Sequence, residues 1–83
     1  MKVTIKYFAS IREAIGQGSE VRDTAATTLA GLRDELLAST PAHAASLARG
    51  RSVRMALNQV MSDETAPLSE GCEVAFFPPV TGG

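Results

Sequence analysis

The sequence contains one cysteine, one histidine, one tyrosine and no tryptophan in 83 residues. A single cysteine excludes an internal disulfide, and with one histidine it cannot assemble a zinc site, so no metal is expected. Charge of either sign is also scarce. Eight Lys and Arg against nine Asp and Glu leave a formal charge of −1, which argues against the strongly basic face of a nucleic-acid binder. No apolar run approaches the roughly 20 residues of a membrane span, and Met1 to Lys6 lacks the continuous apolar core of a signal peptide. The expectation is a cytoplasmic chain that binds neither nucleic acid nor membrane. Catalytic apparatus is missing as well: no paired carboxylates, Cys-His arrangement or Gly-rich phosphate loop can be picked out. What remains is an ordinary globular composition, 45% hydrophobic and 20% charged, enough for one small domain that buries about 60 to 65% of its unfolded surface.

Lys2 to Phe8 alternates, with Val3, Ile5 and Tyr7 in one phase and Lys2, Thr4 and Lys6 in the other, which predicts a half-buried strand. Phe8 falls in the polar phase and should point away from the core. Ser10 and Glu13 have capping-box spacing before Ile11, Ala14 and Ile15, with Gly16 placed to end a short helix. Glu20 to Asp23 fits a returning strand. Thr27 or Thr28 can cap a helix whose apolar positions Leu29, Leu32, Leu36 and Leu37 lie opposite Arg33, Asp34 and Glu35. Gly31 weakens that helix by up to about 1 kcal/mol relative to alanine. Ala42 to Ala48 predicts one or two further helical turns, stopped by Gly50. Val53, Met55 and Leu57 form the next strand phase, Asn58-Gln59 the turn, Val60-Met61 a brief return, and Glu73 to Phe77 the last strand.

The most distinctive stretch is the ending, Phe76-Phe77-Pro78-Pro79-Val80-Thr81-Gly82-Gly83. Adjacent prolines cannot donate to a sheet ladder or enter a helix, so the fold is expected to span residues 1–77 and to be followed by an extended tail, residues 78–83. Two glycines at the end leave the last carboxylate with no Cβ beside it, a shape that can be threaded into a narrow active site. A frayed terminus is the bland alternative, but inconsequential tails are usually polar rather than aromatic and proline-stiffened.

That ending, preceded by Pro67-Leu68-Ser69-Glu70-Gly71-Cys72-Glu73-Val74-Ala75, with the Lys2 to Phe8 strand and the Ala56 to Gln59 segment, resembles the small subunits of molybdopterin synthase. These belong to the ubiquitin-like sulfur carriers, which also include the thiamine-pathway carrier and the ubiquitin-related tRNA-thiolation modifier. One departure is Cys72, where those proteins usually have aspartate. The element order admits several small α+β folds; the resemblance selects the ubiquitin-like β-grasp, a mixed sheet curled round one main helix with the last strand parallel to the first.

The resemblance also implies a role. A terminal carboxylate with a pKa near 3.5 is ionised and inert at neutral pH, so it must be activated. An adenylating and sulfurylating enzyme would use ATP to make an acyl-adenylate at Gly83, and a persulfide donor would convert it to a thiocarboxylate, a covalent 1-thioglycine. The large synthase subunit, in a heterotetramer, would receive the tail. Two sulfurs would turn the pyranopterin precursor into the dithiolene of molybdopterin, a step in molybdenum cofactor biosynthesis. The chain itself would bind no cofactor; it would be a subunit of a sulfurtransferase whose catalytic side chains lie on the large subunit. Gly82 would supply slenderness, and Pro78, Pro79, Val80 and Thr81 would be gripped by partners. Alternatives are a carrier for thiamine or tRNA thiolation, or a ubiquitin-like modifier conjugated to lysines.

Partners must hold more than the tail. Consecutive Phe76 and Phe77 cannot both enter a core on one side of the sheet. Phe77 is expected outward, with Phe8 and with Met61 nearby, as an apolar docking patch for the activating enzyme and the large subunit. Scattered exposed apolar residues are the competing reading. Arg49, Arg51 and Arg54 are read as a solvated loop in preference to a rim patch for an acidic partner, Cys72 as an incidental turn thiol, and His43 as a surface residue.

Overall fold

The computed structural model describes residues 1–78. In chain order the elements are β1 (Lys2–Tyr7), α1 (Ala9–Ile15), β2 (Ser19–Asp23), α2 (Leu29–Leu37), α3 (Pro41–Leu47), β3 (Arg54–Leu57), β4 (Val60–Ser62) and β5 (Glu73–Phe77). The strands form one mixed sheet in the order β2-β1-β5-β3-β4. β1 is antiparallel to β2 and parallel to β5, and β3 is antiparallel to both β5 and β4. This is the expected α+β β-grasp, with its parallel pair at the centre.

Alternation in β1 decides which face is covered. Val3, Ile5 and Tyr7 are buried, and they meet Leu29, Leu32 and Leu36 from α2, Leu47 from α3 and Val74 and Phe76 from β5 in one core. Thr28 caps α2, its hydroxyl accepting from the Gly31 amide at 3.2 Å. Gly16, at φ 90°, closes α1 in the left-handed conformation that glycine adopts without penalty. Asn58 and Gln59, at φ 50° and 68°, form the tight turn whose twist suits a two-residue hairpin between β3 and β4.

Five local expectations are corrected. Ser10 is not a cap: α1 begins two residues earlier than that cap would place it, at Ala9, with Phe8 in the N-cap position and no side-chain cap hydrogen bond. Gly50 does not stop α3, which ends at Leu47. Arg33 does not lie on the exposed face of α2 but is buried, its Nε donating to the Leu47 carbonyl at 2.7 Å and its Nη2 to the Ala48 carbonyl at 3.1 Å. The guanidinium thereby satisfies carbonyls that a helix end leaves open. Burial lowers the Arg33 pKa from its ordinary value, an effect partly offset by the charge of Glu64.

His43 is the fourth. It is buried on α3, with Nδ1 2.7 Å from the Thr40 hydroxyl and Nε2 3.2 Å from the Tyr7 hydroxyl and 3.6 Å from Glu20. Its ring meets Tyr7 edge-on at 5.7 Å, and Tyr7 in turn stacks on Phe76 at 6.3 Å. Burial pushes the Tyr7 phenol up from its ordinary pKa, and the nearby Glu20 charge adds to the shift. Cys72 also leaves its expected setting: it lies just past the Gly71 turn, and its thiol joins the core.

Candidate functional site

The uncovered face of the sheet carries the site. Cross-strand register puts Lys6, Ala75, Ala56 and Met61 in one rank and Phe77 and Arg54 in the next. Because side chains alternate along each strand, these residues share the face opposite the core. Phe8 follows directly after Lys6 and Tyr7, at the end of β1, where its amide donates to the Phe76 carbonyl at 3.1 Å. Its ring is 46% exposed and meets the half-buried Phe77 edge-to-face, with ring centroids 6.3 Å apart.

The local backbone explains the pose. Ala9, at φ 51°, occupies the left-handed region, a conformation that costs a non-glycine residue about 1 kcal/mol. That turn sends the chain from β1 into α1 within one residue and leaves Phe8 beside Phe77. Met61 is 55% exposed on the edge strand β4, two strands and one rank away from Phe77, with small Ala56 and Ala75 between. Lys6, paired with Glu73 at 3.4 Å, and exposed Arg54 border the strip. The three expected patch residues therefore share one face, with Phe8 and Phe77 in contact and Met61 at the far end. Val60, 67% exposed beside Met61, is an apolar residue that sequence reasoning missed. Its inward strand phase conceals that β4 is an edge with little above it.

The arginines do not form one patch. Arg49 bonds Asp34 and Glu64, the latter at 2.6 Å from Nη2, and these hydrogen bonds raise its pKa. Arg54 lies on the open sheet face as the cross-strand partner of Phe77, while Arg51 stands in the loop before β3. Among the described residues no group of three or more His, Cys, Asp or Glu could hold a metal ion, and no helix is long and apolar enough to cross a membrane. Pro78 is half-buried at the root of the tail. The expected tail residues Pro79, Val80, Thr81, Gly82 and Gly83 lie outside the described residues.

A mixed sheet over one main helix, with an apolar strip at the root of its last strand, defines a ubiquitin-like β-grasp domain. Residues 5–83 match the model of the ThiS family, and the chain belongs to that family. It is 36% identical over 81 residues to the molybdopterin synthase sulfur carrier subunit of Escherichia coli, covering 98% of this chain and 99% of that one. The protein of the same name from Mycobacterium tuberculosis is 35% identical over 85 residues, covering 100% and 99%. Among solved structures, SAMP1 from Haloferax volcanii superposes with a TM-score of 0.79 at 25% identity over the whole of both chains. A chain in the complex of subunits 1 and 2 of the molybdopterin-converting factor from Helicobacter pylori does so with a TM-score of 0.72 at 26% identity, again over both whole chains.

Proposed function

We propose that this chain is the sulfur-carrier subunit of a molybdopterin synthase. One observation carries the reading: relatives bearing that name align with 98 to 100% of it at 32 to 36% identity, and the family match runs through residue 83. The Helicobacter complex, in which a chain of this fold is found together with the other subunit of a molybdopterin-converting factor, supports a large subunit as partner. The Phe8, Phe77 and Met61 strip suits such a partner, because an apolar patch with a charged border at Lys6 and Arg54 has the composition of a protein interface.

The chemistry proposed for Gly83 follows from its inertness as a carboxylate. A carboxylate oxygen attacks the α-phosphorus of ATP on a separate adenylating enzyme and expels pyrophosphate. A persulfide sulfur then attacks the acyl carbon and AMP leaves; a second thiol cleaves the resulting acyl disulfide, releasing the thiocarboxylate. Pro78 and Pro79 cannot donate to a sheet ladder, and Gly82 and Gly83 carry no Cβ that would block a narrow opening. The terminal sulfur is then delivered to the pyranopterin precursor inside the large subunit, in the cytoplasm.

The test is the intact mass of the chain after incubation with ATP, a persulfide donor and the host adenylating enzyme. A gain equal to one oxygen-to-sulfur exchange, abolished by deleting Gly83, is expected. An unchanged mass accompanied by adducts on lysines of other proteins would replace the carrier reading with that of a modifier.

A further inference from the structure

β2 forms one margin of the sheet, and its hydrogen-bond pattern with β1 fixes which backbone groups point outward. Met1 and Thr24 exchange both bonds, the Thr24 amide donating to the Met1 carbonyl at 2.8 Å and the terminal ammonium donating to the Thr24 carbonyl at 2.9 Å. At the other end the Tyr7 amide donates to the Gly18 carbonyl at 2.9 Å. Such pairs alternate along an antiparallel ladder with pairs that share no bond. The register between these two points is unbroken, so Glu20 and Arg22 turn their backbone groups toward β1, and Ser19, Val21 and Asp23 turn theirs away. Those three residues are exposed, Val21 to 68%. Edge strands ordinarily deter further pairing with lysine, proline or a bulge. Ser19–Asp23 contains neither lysine nor proline, and its register with β1 is continuous.

We propose that this edge pairs with the same edge of a second copy of the chain, β2 running antiparallel to β2 about a twofold axis at Val21. Only residues whose backbone groups face outward can exchange bonds, so the overlapping registers are those centred on Glu20, Val21 or Arg22. Charge chooses among them. Centred on Glu20, two carboxylates lie directly opposite each other; centred on Arg22, two guanidinium groups do, and like charges facing across a ladder are unfavourable. Centred on Val21, each Glu20 faces the Arg22 of the other copy. All three outward residues then find partners, Ser19 with Asp23, Val21 with Val21 and Asp23 with Ser19, at two backbone bonds per pair. Within one chain Glu20 Oε1 is already 3.1 Å from Arg22 Nε, so the two copies bring four alternating charges together on the helix-covered face. On the open face Val21 meets Val21, and each Ser19 hydroxyl faces an Asp23 carboxylate as a donor. β1 separates β2 from β5, β3 and β4, so the pairing leaves Phe77 and Met61 uncovered in both copies. It rests on β2 and not on the carrier reading. Two five-residue strands make an interface of the class below about 1,200 Å², which forms transient associations.

Sedimentation equilibrium of the full chain, from about 20 µM to about 2 mM, reads the weight-average mass, which is expected to climb from 8.7 kDa toward twice that value. Val21→Pro removes one outward donor from each copy at an edge position that accepts proline, and should raise the midpoint concentration about tenfold or more. Arg22→Glu sets carboxylates opposite each other on both sides of the axis and should hold the mass at that of one chain. Adding Glu20→Arg to Arg22→Glu restores opposite charges in the same register and should bring association back. Melting curves at the lowest concentration establish that each variant is folded. A mass that stays at 8.7 kDa throughout would overturn the proposal. So would association that Val21→Pro leaves unchanged, or a folded charge-reversed pair that fails to associate. Association lost in Phe77→Ala but kept in Val21→Pro would place the contact on the Phe8 and Phe77 strip and overturn it as well. No ATP, sulfur donor or partner protein is present, so failure here leaves the carrier reading untouched.

Discussion

Raising the pH above about 10 titrates one group in this domain that can be followed by its own absorbance. Tyr7 is the only tyrosine and tryptophan is absent, so tyrosinate absorbance reports on a single side chain. The Tyr7 ring is 1% exposed, and burial, with the Glu20 charge second, raises its pKa well above the unfolded value of about 10. The folded state therefore keeps its phenolic proton at a pH where the unfolded chain has lost it. The stability tied to this proton is fully present below about pH 10 and is lost progressively as pH climbs from there toward the folded value. The slope is about 1.4 kcal/mol per pH unit, so by about pH 12 the loss is on the order of 3 kcal/mol, a sizeable share of the roughly 5 to 15 kcal/mol typical of a domain. Guanidinium unfolding followed by far-ultraviolet circular dichroism at a series of pH values measures the slope, and Tyr7→Phe should flatten it. The substitution itself should cost about 1 kcal/mol at neutral pH, because the 3.2 Å contact with His43 Nε2 is lost. Tyrosinate absorbance rising near pH 10 while the fold stays intact would refute the argument, as would an undiminished alkaline slope in Tyr7→Phe.

Three further outcomes follow from particular contacts. Arg33→Met keeps the aliphatic stem but strips the Leu47 and Ala48 carbonyls of their donors. We expect a net loss of about 1 to 2 kcal/mol, with faster hydrogen exchange confined to α3, since relief of guanidinium desolvation offsets part of the lost hydrogen bonding. A stabilised variant would show that desolvation dominates. Gly31→Ala should not deliver the usual gain of about 1 kcal/mol, because the added Cβ would sit 3.2 Å from the Ala26 Cβ, and Ala26 is held by the hydrogen bond its amide donates to the Thr24 hydroxyl. Thermal melts recovering the whole gain would mean that the segment before α2 yields freely. Phe77→Ala should weaken binding to the large subunit and to the adenylating enzyme by tenfold or more while leaving the melting temperature within a few degrees; isothermal titration with each partner measures this, and unchanged affinities would remove the docking strip.

What the sequence revealed and what it concealed divide by range. Val3, Ile5 and Tyr7 announce a strand because the two-residue period is local, and Leu29, Leu32 and Leu36 announce α2 for the same kind of reason. Phe8 and Phe77 could be assigned to the open face from strand phase alone. Arg33 could not be recognised as a helix cap, because its acceptors come from α3, 14 and 15 residues away. His43 looked like a surface residue in an alanine-rich stretch until Tyr7, 36 residues earlier, was brought against its ring. Ser10 carried the right spacing for a cap and lost the position to Phe8, since parallel pairing fixes where β1 ends and α1 must begin. A groove beside Pro78 is built from α1, α3, the loop before β3 and the end of β5, a juxtaposition that no single stretch encodes.

The parallel pairing of β1 with β5 is what turns core packing into a functional arrangement. Two parallel neighbours end at the same edge of the sheet, so the tail leaves next to Phe8 rather than at the opposite pole. The register is set on the buried side, by Ile5 opposite Val74 and Tyr7 opposite Phe76, and the Gly71 amide anchors it by donating to the Lys2 carbonyl at 2.7 Å. A slip of one residue would exchange the faces of the whole strand, burying Phe77 and exposing Phe76. Burying Phe76 against Tyr7 therefore forces Phe77 outward onto Phe8 and aims Pro78 past α1. The two adjacent phenylalanines have separate work, one in the core and one at the surface, and the first determines the position of the second. A partner that grips the Phe8 and Phe77 strip consequently finds the root of the tail at a fixed place.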